Sequence, residues 1–284
     1  MLWRSKLQIY ALSCITALNG DLEYAPSSTE ADCVLSMREQ QMKAFASDAL
    51  ARFEAQLVDH ALTFSPRHAA SLGRDQLQRC IHAMLSRARS HGFALRGPSQ
   101  LWVELTFMFG TAFDMDPQLG ALADFVRPVP GSNEADELRR AINLREAAVS
   151  FANRIAGHAG EREHAAVKRF RGLSLKDGAV ESNQEIIELL KYVHPEKVEA
   201  VGTVPFQQVV SEARSQAQAY RLNDPAGPTA IALLMFTFGY GCMDDPLFPW
   251  IAESLGDVRL DARARLELTR RKALRFVSVE SGGE

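Results

Sequence analysis

The chain has 284 residues, of which 46% are hydrophobic and 24% charged, and its formal net charge at pH 7 is −3. This composition is ordinary for a soluble globular protein, and it excludes a surface that is basic throughout and binds nucleic acid everywhere. No apolar run reaches the roughly 18 residues that a membrane-spanning helix needs. We therefore predict neither a nucleic-acid partner nor a membrane partner.

Residues 1–36 are predicted to be an irregular N-terminal segment. Two positive charges in residues 1–6 precede a moderately apolar stretch, residues 7–18, which together resemble a weak secretory signal. Polar residues interrupt that stretch, and no small-x-small cleavage site follows it. We therefore expect a cytoplasmic protein, with a periplasmic location as the alternative if residues 1–20 act as a signal.

The cysteines have no spacing typical of a zinc site or of a Cys-x-x-Cys motif. They are Cys14, Cys33, Cys80 and Cys242. Cys80 and Cys242 lie inside apolar helical patterns, which predicts buried free thiols and favours a reducing compartment.

Helical periodicity dominates the chain from Met37 onward. Apolar residues recur at helical spacing up to about Phe64, and a second amphipathic helix is predicted over residues 74–91. After a turn at residues 97–99, an apolar helix is predicted over residues 101–109. Because apolar residues cover nearly all of its faces, this helix is expected at the centre of the fold.

One motif occurs twice: F-x-F-G, then five residues, then D-P. The first copy begins at Phe107 and the second at Phe236, an offset of 129 residues. The same offset extends without a gap over residues 65–126 and gives twelve identities in 62 aligned positions. A repeat of this length predicts a paired architecture. The predicted fold is all-α, with two pseudo-symmetric multi-helix modules that arose by internal duplication.

The second copy is predicted to follow the plan of the first. A turn at residues 224–228 leads into an apolar helix at residues 229–238, and Asp245-Pro246 begins a short helix that contains Trp250. The polar segment between the copies is expected to be a linker. The predicted division is therefore an irregular segment 1–36, a first helical module 37–156, a linker 157–180 and a second helical module 181–277.

Two acidic pairs beside the motif raise the question of a metal site: Asp114 with Asp116, and Asp244 with Asp245. Calcium or magnesium needs several oxygen ligands at one point, whereas an aspartate directly before a proline is a common helix cap. We therefore predict capping for Asp116 and Asp245, no metal and no cofactor. No HExxH, G-x-S-x-G or phosphate-binding glycine loop is present, so we predict that the chain is not an enzyme.

Residues 37–45, with the sequence MREQQMKAF, open a region that resembles a family of helical bacterial proteins encoded beside type VI secretion effectors. Family members carry a similar opening, an amphipathic helix of the kind seen at residues 86–89 (SRAR), an apolar helix that ends in Phe and Gly, and then Asp-x-Asp-Pro. The resemblance covers residues 37–126. The second copy keeps the F-x-F-G and D-P parts, with Trp250 just after, but lacks the opening. The resemblance implies an accessory role toward a secreted toxin and supplies no active-site residue.

Three functions are compatible with these observations. The first is an immunity protein that binds and neutralises a cognate type VI secretion toxin, expected to be of the nuclease type. The second is an effector-loading adaptor or chaperone, and the third is a hydrolase with an unrecognised site. The expected partner is the cognate secreted effector, while the sequence sets no oligomeric state.

The two modules differ in charge, which suggests where a partner binds. Residues 37–126 contain nine basic and nine acidic residues, whereas residues 181–255 contain four basic and ten acidic residues, a balance of −6. A nuclease presents a basic cleft to phosphate, and an acidic inhibitor can occupy such a cleft. The predicted partner-binding residues are Glu185, Glu188, Asp244, Asp245 and Trp250, with the tryptophan as an apolar anchor.

Overall fold

The computed structural model of the chain describes residues 39–173, 180 and 182–280. α-Helices joined by short loops account for most of these residues, and no β-strand occurs among them. The predicted all-α class is therefore confirmed. The predicted irregular segment 1–36 lies outside the described residues.

Within the described residues, the first seven helices run from the start to the middle of the chain. They are α1 (Glu39–Phe64), α2 (Pro66–Leu72), α3 (Arg74–Ser90), α4 (Arg96–Phe109), α5 (Gly120–Val126), α6 (Glu134–Ala156) and α7 (Glu161–Gly172), with a 3-10 helix at Pro117–Leu119 before α5. Six more follow: α8 (Asn183–Val193), α9 (Pro195–Val201), α10 (Val204–Ala219), α11 (Ala226–Phe238), α12 (Pro249–Leu255) and α13 (Ala262–Glu280).

The two central apolar helices begin earlier than predicted. Helix α4 starts at Arg96 and α11 at Ala226, so the predicted turns at residues 97–99 and 224–228 are wrong in part. Pro98 and Pro228 lie in the first turn of these helices, where the backbone N–H has no intrahelical acceptor and its absence costs nothing. Proline was therefore a helix-start signal at both places.

Helix α7 occupies much of the segment predicted to be a linker, residues 157–180. Its residues Ala166, Val167 and Phe170 are buried. They recur at helical spacing below a charged outer face, and they place α7 against α6 and α8. The linker prediction is thus wrong for Glu161–Gly172, because charged neighbours masked a narrow apolar stripe.

The helix boundaries repeat along the chain with the same 129-residue offset as the motif. Helices α2 and α9 begin and end at equivalent positions, as do α5 and α12, and both α4 and α11 end at the second phenylalanine of the motif. Packing across the repeat is also reciprocal, since α6 contacts α9 while α13 contacts α2. The two modules thus share one buried core. Internal duplication as the origin of this arrangement stays an interpretation.

The central position predicted for the apolar helices is confirmed by their burial. Eleven residues of α4 are buried, and ten of the thirteen in α11 are buried. Phe109 and Phe238, at the ends of these helices, are only 5% and 4% exposed. The two motif copies therefore lie inside the protein, where they organise packing.

Two of the four cysteines lie in described parts of the chain, and both are buried free thiols, as predicted. Burial raises the pKa of the Cys80 thiol to about 11. A thiol of that kind remains protonated at neutral pH and is a poor nucleophile. The predictions for Cys14 and Cys33 fall outside the described residues.

Candidate functional site

The two motif copies meet where their apolar helices end. The residues after α4 and α11 are Gly110 and Gly239, with φ angles of 97° and 100°. A Cβ on Gly239 would lie 2.3 Å from the carbonyl oxygen of Phe109, and one on Gly110 would lie 3.0 Å from that of Phe238. Glycine is required here because the backbones of the two copies touch.

Each copy supplies an aspartate to the backbone of the other. The N–H of Thr111 donates to Asp245 Oδ2 at 2.8 Å, and the N–H of Tyr240 donates to Asp116 Oδ2 at 2.9 Å. Thr111 and Tyr240 are separated by 129 residues, as are the two aspartates. The aspartate of each D-P pair therefore accepts a hydrogen bond from the residue that directly follows F-x-F-G in the other copy.

The other carboxylate oxygen of each aspartate accepts the backbone N–H of the residue two positions later in its own copy. Asp116 Oδ1 accepts the N–H of Gln118 at 2.8 Å, and Asp245 Oδ1 accepts the N–H of Leu247 at 2.8 Å. The predicted helix-capping role is thus confirmed for Asp116, which caps the 3-10 helix Pro117–Leu119. The short helix with Trp250, however, begins at Pro249 rather than at Asp245-Pro246, so Asp245 caps the turn before it.

Asp245→Asn is expected to lower the free energy of unfolding by about 1–3 kcal/mol, because an amide has only one oxygen for two buried N–H donors. The exposed neighbour Asp244 provides a matched control, and Asp244→Asn is expected to change stability by less than about 0.5 kcal/mol. Urea denaturation of both variants measures the difference. Equal effects would show that the contact with Thr111 contributes nothing specific.

A lysine lies beside this motif contact. Lys197, on α9, donates from Nζ to the carbonyl oxygen of Phe236 at 2.5 Å and lies 4.4 Å from the centre of the Phe236 ring. That carbonyl belongs to the last turn of α11, where helix carbonyls need partners from outside the helix. Desolvation lowers the pKa of Lys197 to about 8, and the negative charge of Asp116 opposes the shift.

His194 immediately precedes Pro195, the first residue of α9, and caps that helix. Its Nδ1 accepts the backbone N–H of Lys197 at 3.3 Å and lies 3.3 Å from a carboxylate oxygen of Glu196. Burial, together with the positive charge of Lys197, lowers the pKa of His194 to about 4. The imidazole is therefore neutral at pH 7, and the neutral ring is the form that can accept the capping hydrogen bond.

His194 is expected to make the protein sensitive to acid. Because the folded-state pKa lies below the unfolded value, its contribution is fully present above pH 6.5 and declines as the pH falls to 4, by on the order of 3 kcal/mol. His194→Ser copies the residue at the equivalent position, Ser65, and removes this titration. The difference between the unfolding free energies at pH 7 and pH 4 should therefore be smaller in the variant than in the wild type. Parallel pH profiles for wild type and variant would contradict this assignment.

Glu163, His194 and Lys197 line one pocket of about 580 Å³. Its walls come from α6, α7, α8, α9, α11 and α13 and are mainly apolar. They are formed by Ile155, Ala156, Ala166, Val167, Phe170, Val193, Phe236, Thr237 and Val277. This pocket therefore places three titratable side chains beside apolar walls.

Comparison of the chain with protein-family models, with curated proteins and with solved structures finds no match. Across residues 39–173 and 182–280, no cluster of three or more His, Cys, Asp or Glu side chains is placed to hold a metal ion. No helix in these ranges is both long and apolar enough to cross a membrane. The geometry of this chain is therefore the basis for assigning a function.

The partner-binding residues predicted near the second motif have different surroundings. Asp245 is only 3% exposed and binds backbone on both sides, so it is not available to a partner. Trp250 is half-buried, with its ring edge-on to Phe238 at 5.5 Å and 6.3 Å from Phe276, so it packs into the core. Asp244 is exposed. Of these three, Asp244 alone remains a candidate for contact.

The outer face of α8 holds the other two predicted residues. Glu185 and Glu188 are exposed, and Tyr192, which is 60% exposed, follows them at helical spacing. Residues at positions i, i+3 and i+7 share one face of a helix. Glu185 also forms a capping box with Ser182. Tyr192 was not predicted as a contact, although its spacing from the two glutamates was the signal for it.

Proposed function

We propose that the chain is a non-catalytic immunity protein that binds a cognate type VI secretion toxin and covers the toxin's active site. The α8 face, defined as Glu185, Glu188 and Tyr192, is the proposed contact surface. The observation that carries the proposal is the exposure of two carboxylates and one aromatic ring on a single rigid helix. The resemblance of residues 37–126 to proteins encoded beside such effectors supports it.

Charge around the α8 face supports a basic target. In residues 182–255, eight acidic side chains are exposed or half-buried, against four basic ones. Lys197 directs its ammonium inward to Phe236, and Arg214 donates to the side chain of Asn183. Residues 182–255 therefore contribute a net acidic surface, whereas Ala262–Glu280, which follows them, is rich in arginine. An acidic surface steers a basic partner during association.

Tyr192 gives this surface an apolar anchor. Tyrosine is enriched among interface hot spots because its ring offers apolar area and its hydroxyl can form a hydrogen bond. The adjacent carboxylates can pair with arginine or lysine of a nuclease cleft, the groups that would otherwise hold phosphate. The proposed target is therefore the substrate cleft of a nuclease toxin.

The double variant Glu188→Lys/Tyr192→Ala tests the contact and leaves the capping glutamate Glu185 unchanged. Association with the purified toxin at low salt is expected to slow about tenfold or more, and its salt dependence to weaken. Glu146→Lys, which reverses an exposed charge on α6, is the matched control and should associate like wild type. Wild-type kinetics for the double variant would rule out the α8 face as the contact.

An adaptor or chaperone for the effector is the second candidate, and one observation favours it. An apolar groove of about 420 Å³ lies between α7, α11 and α13. Its apolar walls include Phe170, Leu173, Leu233, Leu234, Leu266 and Ala273. Amphipathic helices bind in apolar grooves between helices, and this cleft, most of whose lining residues are buried, would have to open to accept one. An adaptor would alter effector secretion without protecting a sensitive cell, which distinguishes it from an immunity protein.

A further inference from the structure

The pocket around Lys197 has no role in the proposed toxin contact, yet it has the features of a small-molecule site. Apolar side chains form most of its wall, as they do in ligand pockets. Lys197 also lines a neighbouring pocket of about 530 Å³ below the motif contact, together with Asp116 and Gln118. Lys197 therefore lines both pockets.

The charges around the pocket select for a neutral ligand. Glu163 is buried at 5% exposure and lines the pocket, and Asp116 lies on the other side of the lysine. These two carboxylates disfavour an anion, while the ammonium of Lys197 disfavours a cation. The imidazole of His194 is neutral. A neutral molecule with an apolar body meets no charge penalty there.

Lys197 itself is suited to react with a carbonyl group. A pKa of about 8 leaves a much larger fraction of this amine unprotonated at pH 7 than of an ordinary lysine. An unprotonated lysine in an apolar pocket is the usual nucleophile in Schiff-base formation. Lys197 is among the residues that line the pocket, so a molecule bound there lies beside its side chain.

We propose that this pocket binds a small apolar aldehyde, which condenses with Nζ of Lys197 to form an imine. The unprotonated amine adds to the carbonyl carbon, and a proton passes from nitrogen to the carbonyl oxygen. The resulting hydroxyl group takes one further proton, supplied by water or by an acid in the pocket, and leaves as water while the C=N bond forms. The protonated imine keeps one N–H, which can still donate to the carbonyl oxygen of Phe236.

Reductive trapping tests the proposal on the full-length folded protein. The protein is treated at pH 7 with benzaldehyde and sodium cyanoborohydride, and benzylated lysines are located by peptide mass spectrometry. Lys191, an exposed lysine on α8, is the internal control. Modification of Lys197 is expected to be about tenfold or more faster than that of Lys191, because far more of its amine is unprotonated.

Two further measurements make the result decisive. In concentrated urea the preference for Lys197 over Lys191 should disappear, since it depends on the folded pocket. Lys197→Arg, which keeps the positive charge, should lose the fast modification and keep the slow one. If the folded protein modifies Lys197 no faster than Lys191, the pocket is not an aldehyde site. That comparison lies within one chain, so it holds even if the arginine variant fails to fold.

Discussion

Replacing Gly239 by alanine is expected to lower the free energy of unfolding by about 3–6 kcal/mol. Two costs combine at this position. The backbone has φ +100° and ψ 156°, a conformation that side chains rarely adopt, and the new Cβ would lie 2.3 Å from the carbonyl oxygen of Phe109. Because that oxygen belongs to the backbone of the other copy, the two helix ends must separate to make room.

Substitution of Gly202 by alanine measures the conformational strain without the steric clash. Gly202 also has a positive φ, +82°, with ψ 167°, but no atom lies within 4 Å of a Cβ built on it. Gly202→Ala should therefore cost only the conformational strain, about 1–3 kcal/mol. Urea unfolding of both variants gives the difference. Equal losses would mean that the close approach of the two copies is not as described.

Phe238→Ala is expected to cost about 3–5 kcal/mol, the range for a buried phenylalanine. The ring is 4% exposed and lies 5.2 Å from Phe248, 5.5 Å from Trp250 and 5.7 Å from Phe276, measured between ring centroids. Removing it leaves a cavity that joins α11, α12 and α13. The rigid aromatic neighbours limit how far this cavity can collapse.

Phe45→Ala is the matched control for that substitution. Phe45 lies near the start of α1 and is 61% exposed, so its loss should change stability by less than about 0.5 kcal/mol. Thermal unfolding of the two variants gives the comparison. A melting temperature for Phe238→Ala equal to that of Phe45→Ala would contradict the burial of the second motif copy.

Much of the fold was predictable because local patterns and tertiary packing agree. Helix α3 begins at Arg74 as predicted, and the burial of Phe109 and Phe238 follows from their place in apolar helices. The errors have local causes. Prolines inside the first turn of α4 and α11 resemble turn residues in the sequence, and charged neighbours hide the apolar stripe of α7.

The candidate sites were less predictable because they depend on contacts between distant residues. Nothing local shows that Asp245 binds the backbone at Thr111, so the sequence predicts a partner contact for it in addition to capping. Nor does the sequence near Lys197 indicate that its side chain reaches Phe236, 39 residues away. The α8 face was found in part, because Glu185 and Glu188 share a helix and their spacing is visible in the sequence.

Survival of a sensitive bacterium that expresses the neighbouring effector gene tests the proposed function most directly. Co-expression of the wild-type chain should restore growth, and the Glu188→Lys/Tyr192→Ala variant should restore it poorly, while Glu146→Lys protects like wild type. Cells that die equally with and without the folded wild-type chain would contradict an immunity function, whatever its effect on effector secretion.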